Sequence, residues 1–100
     1  MKLVQVVPVA GAKKHLKALL KSKERQLRGK PTAFIRQKEG RWVHIKHPGW
    51  ITWDEAVGGV LVAEVNTKRT ESEWQLLQAF ICYLDRHLGE YIGTITISYR

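Results

Sequence analysis

The 100-residue sequence has a single cysteine, Cys82, which excludes a secreted scaffold stapled by internal disulfides. Its longest unbroken run of apolar residues and glycine, 56–63, is far too short to cross a bilayer. The apolar start is also short, and Gln5 and Pro8 interrupt it, which does not fit a signal peptide. We therefore expect a cytoplasmic protein without a membrane-spanning segment.

The chain also lacks the short motifs of the common nucleotide-using and hydrolytic enzymes. It has no Walker loop, no Gly-x-Gly-x-x-Gly, no Gly-x-Ser-x-Gly and no paired-cysteine motif. The sequence therefore indicates no cofactor and disfavours these enzyme classes. There is no internal repeat or linker-like stretch, and 44% apolar with 26% charged residues is ordinary for a globular protein. One domain over residues 1–100 is predicted.

Acidic residues are scarce in the first half of the chain. Residues 1–50 carry 13 Lys and Arg against 2 acidic residues, a net charge of +11. Residues 51–100 carry 4 against 7, a net charge of −3, and the two halves sum to the +8 of the whole chain. This asymmetry indicates an anionic partner for the first half.

The hydrophobic periodicity predicts two helices. Residues 12–28 place their leucines within a narrow arc, and Pro31 prevents the helix from continuing. Residues 71–88 show the stronger helical pattern, and Thr70 with Glu73 has the spacing of a capping box.

The remaining chain alternates strands with turns. His47-Pro48-Gly49 is predicted to be a turn, because Pro48 favours extended geometry before it and Gly49 tolerates a positive φ. Residues 50–53 are either a short strand or part of a loop. Strands are predicted at 3–9, 32–38, 41–46, 60–65 and 92–99.

The resulting order is β-α-β-β-(β)-β-α-β, which predicts an α+β fold. Packing two amphipathic helices on one face of a sheet buries both apolar stripes. We expect a two-layer sandwich with a mostly antiparallel sheet of five or six strands and two helices on one face. The element order resembles a ferredoxin-like plan with an extra hairpin, a resemblance that implies no function.

Six cations of the first predicted helix share one flank beside the leucines. A solvated helix face usually mixes the two signs of charge, but Glu24 is the only acid on this flank. Cations repeated along a helix can neutralise several phosphates of a nucleic-acid backbone. The six residues are Lys13, Lys14, Lys17, Lys21, Arg25 and Arg28.

The four tryptophans are the second candidate feature. Trp50 and Trp53 follow closely on Lys46 and His47, and exposed aromatics among cations form stacking surfaces for unpaired bases. We include both in the predicted nucleic-acid-binding site, with burial in the core as the alternative. Trp74 is predicted to face the core from the second helix.

His44 and His47 are candidates for acid–base chemistry. Two histidines at this spacing point to opposite faces of a strand, and no nearby carboxylate has a diagnostic ligand spacing, so no metal site is predicted. A nuclease would use one histidine as general base, with Arg41 or Lys46 stabilising the charge that develops on the phosphate.

The apolar arc of the second helix is wider than one sheet requires. One row, or seam, of apolar side chains runs along the helix. A second seam lies about 80° around the helix and contains Leu76, Phe80, Tyr83 and His87. The additional apolar side chains would pack against either the first helix or a second protomer. In the second case the protein would be a homodimer through helix 71–88. Cys82 lies on the opposite, mostly polar flank, where we expect it to be partly exposed.

The leading hypothesis is a small basic module that binds nucleic acid or another polyanion through the first helix. An oligomeric interaction domain with an acidic protein partner is the first alternative. A small, toxin-like RNA-cleaving enzyme that uses His44 and His47 is the second.

Overall fold

The computed structural model describes residues 1–11, 15–27, 34–37 and 41–99. Within these ranges the chain forms six strands and two α-helices. Neither of these α-helices is long and apolar enough to span a membrane. The elements are β1 (Lys2–Pro8), α1 (Leu16–Gln26), β2 (Phe34–Arg36), β3 (Trp42–His44), β4 (Trp50–Glu55), β5 (Leu61–Asn66), α2 (Thr70–Leu88) and β6 (Ile92–Tyr99). The predicted ends of the first helix, at residues 12 and 28, lie outside the described residues.

The six strands form one antiparallel sheet in the order β2-β3-β4-β5-β1-β6. Because β5 separates β1 from β4, the two halves of the chain interlock as a split βαβ arrangement. Without β2 and β3, the order β4-β5-β1-β6 is that of a ferredoxin-like fold, and the β2–β3 hairpin extends the sheet beyond β4. The predicted α+β sandwich is confirmed.

One face of the sheet carries the core. Val4 pairs with Ala63 and Ile51 pairs with Val65, so the buried side chains of neighbouring strands project to the same side. The two helices cover this side with their buried apolar residues. The fully buried helical residues are Leu16, Leu20, Leu76, Leu77, Phe80 and Leu84.

Aromatic side chains attach the β2–β3 hairpin to α2. The Phe34 and Trp42 rings stack with their centroids 5.0 Å apart, and Tyr83 meets both rings edge-on at 5.5 and 5.1 Å. Phe80 also meets both rings edge-on and is 0% exposed. The second seam of α2 therefore covers the hairpin, so neither the first helix nor a second protomer is needed to bury Phe80.

Two sequence predictions for α2 are wrong. Trp74 is 45% exposed, because it lies about 120° around the helix from Phe80, at the margin of the buried arc. The predicted cap position is also wrong: Arg69, not Thr70, is the N-cap residue, and it forms no side-chain cap bond. The Glu73 carboxylate instead contacts Lys2 and the α-amino group of Met1. Cys82 is exposed, as predicted.

A buried ion cluster joins the start of β1 to α2. Lys2 and Glu73 are each only 7% exposed, and Lys2 Nζ donates to Glu73 Oε1 at 2.5 Å. The α-amino group of Met1 lies 2.9 Å from Glu73 Oε2. Burial acts to raise the pKa of Glu73, but the two cations outweigh it and leave that pKa below its ordinary value.

The predicted turn before β4 is confirmed, and β4 extends to Glu55, beyond the predicted 50–53. Gly49 has a φ of +116°, and a Cβ there would overlap the Asn66 carbonyl oxygen and lie 2.5 Å from Thr67 Cγ2. Only glycine accommodates both this backbone conformation and this close approach.

Candidate polyanion-binding surface

Three of the six predicted helix cations can be placed. Lys17, Lys21 and Arg25 lie on α1 at four-residue spacing, so they share one side of the helix. Lys21 and Arg25 are exposed, and Lys17 is half-buried. The other predicted residues, Lys13, Lys14 and Arg28, lie outside the described residues.

An ion pair and a histidine–carboxylate contact join the start of α1 to the end of β4. Lys17 Nζ donates to Asp54 Oδ1 at 2.7 Å, and His15 Nδ1 lies 2.5 Å from Glu55 Oε1. The hydrogen bond from Lys17 is the main cause that lowers the pKa of Asp54. Lys17 is therefore already paired with a carboxylate, which weakens it as a phosphate contact.

A second ion pair joins the other end of α1 to the hairpin. The Arg36 guanidinium donates from two nitrogens to Glu24, at 2.5 and 2.9 Å. This hydrogen bonding raises the pKa of Arg36 against the opposing effect of burial. The only acid on the predicted cationic flank is therefore engaged by β2.

Lys21 and Arg25, which we call the α1 cationic face, form no ion pair within the part of the chain that the structure describes. Lys21 acts on Asp54 only through its charge, because the Asp54 carboxylate is hydrogen-bonded to Lys17. The charge of these two side chains is therefore available to a partner. Burial, followed by the charge of Lys23, lowers the pKa of His87 on α2.

The two predicted tryptophans have different environments. Trp53 packs edge-on against Trp42 at 5.9 Å, and its buried indole Nε1 has no hydrogen-bond partner among the described residues. Trp50 projects from the opposite side of β4, and the Arg41 guanidinium lies 4.4 Å from its ring centre. The environment of Trp53 therefore favours the alternative of burial in the core. Trp50 instead contacts Arg41, a cation that has no acidic partner among the described residues.

A cavity of about 340 Å³ adjoins Trp50 at the N-terminus of α2. Sequence reasoning overlooked it, although the dipeptide Lys68-Arg69 directly before a predicted helix was a visible signal for anion binding. Its lining residues are Pro48, Gly49, Trp50, Thr67, Lys68, Arg69 and Ser72.

The two predicted catalytic histidines lie side by side. The His44 and His47 rings stack with centroids 4.6 Å apart, because His47 follows the end of β3 and is not held to the alternation of a strand. His44 Nδ1 accepts a hydrogen bond from the Lys46 amide at 2.9 Å. Burial, followed by the charges of His47 and Lys46, lowers the pKa of His44. Among the described residues no cluster of three metal-ligating side chains forms.

Comparison of the chain with protein-family models, with curated proteins and with solved structures finds no match.

Proposed function

We propose that this protein binds nucleic acid, as a polyanion, through the α1 cationic face. The observation that carries the proposal is the pairing around α1. Glu24 is bonded to Arg36, Asp54 to Lys17 and Glu55 to His15, and none of the three carboxylates forms an ion pair with Lys21 or Arg25. The same ion pairs anchor α1 to the sheet and hold its cations at a fixed spacing.

Anchoring matters because α1 buries little. Leu16 and Leu20 are its fully buried residues, which contribute about 1.5–3 kcal/mol each. The contacts of Lys17 and Glu24 with the sheet therefore help to maintain the helix, and a test of binding should leave both residues unchanged.

The test is a salt titration of binding to short single- and double-stranded DNA and RNA by fluorescence anisotropy. Wild-type protein should bind near 50 mM salt and lose affinity steeply toward about 200 mM. The double variant Lys21→Glu/Arg25→Glu should bind at least about tenfold more weakly at low salt. Its slope against log salt should fall by about two, one for each phosphate that the variant no longer neutralises.

The matched control is Arg86→Glu compared with Arg25→Glu. Both arginines are exposed and lie in the last turn of a helix, so both changes have similar effects on net charge and helix dipole. Only Arg25→Glu should weaken binding strongly. Absence of wild-type binding near 50 mM salt would contradict the proposal and favour an acidic protein as the partner. Equal effects of the two variants would place the contact elsewhere.

Self-association is a second candidate, favoured by a different observation. Trp74 on α2 is 45% exposed and Tyr99 on the edge strand β6 is 73% exposed, and residues 92–99 contain no charged side chain. An uncharged edge strand offers unpaired backbone groups to another strand. We propose a homodimer through these residues of α2 and β6. Sedimentation should show a dimer that Thr96→Lys dissociates, whereas a monomer at high concentration would refute it.

The stacked imidazoles favour RNA cleavage as a third candidate. A neutral and a protonated histidine in contact could act as general base and general acid. Incubation of RNA with wild-type protein should then yield cleavage products, and His44→Ala and His47→Ala should each abolish them. Products that persist in both variants would indicate a contaminating nuclease.

A further inference from the structure

The cavity beside Trp50 combines three features that a binding site for a small anion requires. Its volume, about 340 Å³, lies within the range of small-molecule sites. Lys68 and Arg69 both line it, and neither forms an ion pair with a described residue. None of the lining residues is acidic, so the charged groups of the lining itself are the two cations.

A buried hydroxyl supplies the second feature. Ser72 lines the cavity and is only 8% exposed, yet none of the described residues donates to or accepts from its side chain. An oxygen of a bound ligand would satisfy this hydroxyl.

The position of Ser72 adds to this attraction. It is the third residue of α2, a helix of 19 residues whose N-cap residue provides no side-chain cap bond. The positive end of the helix dipole therefore lies beside the two cations.

The third feature is the aromatic wall. Trp50 lines the cavity, and Arg41 covers its ring at 4.4 Å, which restrains the indole and adds a further positive charge. Gly49 lets the β3–β4 turn approach within van der Waals contact of residues 66 and 67, so the wall stands next to the basic β5–α2 connection. The turn that leads to Trp50 and the connection that carries Lys68 and Arg69 are thus neighbours.

We propose that this cavity binds a nucleoside monophosphate unit, with the phosphate held by Lys68, Arg69 and Ser72 and the planar base stacked against Trp50. Phosphate alone would use only half of the site, and an aromatic ring without charge would use only the other half. The site is separate from the α1 cationic face, so its success or failure does not depend on nucleic-acid binding there.

The test is calorimetric titration of wild-type protein with AMP, GMP, CMP and UMP, each compared with its nucleoside and with inorganic phosphate. At least one nucleotide should bind saturably and at least about tenfold more tightly than the phosphate and the nucleoside. Arg69→Gln and Ser72→Ala should each weaken nucleotide binding about tenfold, the worth of a hydrogen bond to a charged group. Trp50→Leu should weaken nucleotide binding about tenfold but leave phosphate binding unchanged.

Arg86→Gln is the control, because Arg86 is an exposed cation of the same helix that does not line the cavity. It should bind like wild type. Lack of saturable binding of all four nucleotides would overturn the proposal. It would also be overturned if Arg69→Gln weakened binding no more than Arg86→Gln, or if phosphate bound as tightly as the nucleotides. Lys21→Glu/Arg25→Glu should leave mononucleotide binding intact, which separates this site from the proposed nucleic-acid contact.

Discussion

Replacing Glu73 by glutamine should be among the most destabilising single changes that conserve volume. The carboxylate joins α2 to the start of β1 through Lys2 at 2.5 Å and the α-amino group of Met1 at 2.9 Å. Glu73→Gln keeps the shape of the side chain but leaves the Lys2 ammonium, only 7% exposed, without a carboxylate.

Breaking a buried ion pair by removing one partner costs about 3–5 kcal/mol, because the remaining charge is desolvated and uncompensated. At about 4–8 °C per kcal/mol for a domain of this size, the melting temperature should fall by at least about 12 °C. Lys2→Met should cost less than Glu73→Gln, because the carboxylate then keeps the α-amino group as its partner. The double variant should be more stable than the sum of the two single effects predicts.

Urea unfolding followed by circular dichroism measures these differences. Glu71→Gln is the matched control, since Glu71 is also an acid in the first turn of α2 but is exposed. It should cost about 1 kcal/mol or less, the value of a helix-dipole interaction. A cost for Glu73→Gln no larger than that of Glu71→Gln would refute the reasoning.

The same cluster predicts a pH dependence. The folded-state pKa of Glu73 is depressed, so its stabilisation is complete above the pKa of the unfolded chain and is lost as pH falls through the folded-state pKa. Wild-type stability should therefore decline below about pH 4. Glu73→Gln should show a weaker decline, and an unchanged acid limb in this variant would contradict the assignment.

Three further predictions concern the core and the hairpin. Gly49→Ala should lower the free energy of unfolding, measured with urea, by more than about 3 kcal/mol. Gly58 also has a positive φ but has open space around it, so Gly58→Ala should cost only about 1–2 kcal/mol. Equal costs for the two variants would contradict the crowding at Gly49. Burial raises the pKa of Tyr83 to about 12. Native stability should therefore fall between about pH 10 and 12, as the unfolded tyrosine ionises first, and a Tyr83→Phe variant with the same alkaline loss would contradict this. Glu24→Gln should cost about 1 kcal/mol, since its bidentate pair with Arg36 is partly exposed, and the loss should disappear in an Arg36→Gln background.

Local patterns were sufficient for the elements and their order. The strand Ile92–Tyr99, the break before Trp50 and helix α2 follow from alternation, from Pro and Gly, and from helical periodicity, which are properties of neighbouring residues. The sandwich with an added hairpin then follows, because two helices with apolar stripes must share a sheet. Exposure of Cys82 was predictable for the same reason, since it lies opposite the apolar arc.

Contacts between distant residues required the tertiary structure. Lys2 meets Glu73 across 71 positions and Lys17 meets Asp54 across 37, and no periodicity links such partners. The sequence analysis predicted Lys17 to be available to a ligand because its partner, Asp54, lies on another element and could not be identified from the local pattern. The outcome for Trp74 depended on where the hairpin rests: Phe34 and Trp42 fill the second seam of α2 and leave the margin of its arc in solvent.

The candidate sites divide in the same way. The excess of Lys and Arg in the first half, and the spacing of Lys21 and Arg25 along one helix side, are visible in the sequence because charge and helical periodicity are local. The cavity is not, because it joins the β3–β4 turn, the β5–α2 connection and the first turn of α2. These segments meet only because β4 and β5 pair in the register that sets Trp50 opposite Asn66, a choice made by burial of one sheet face.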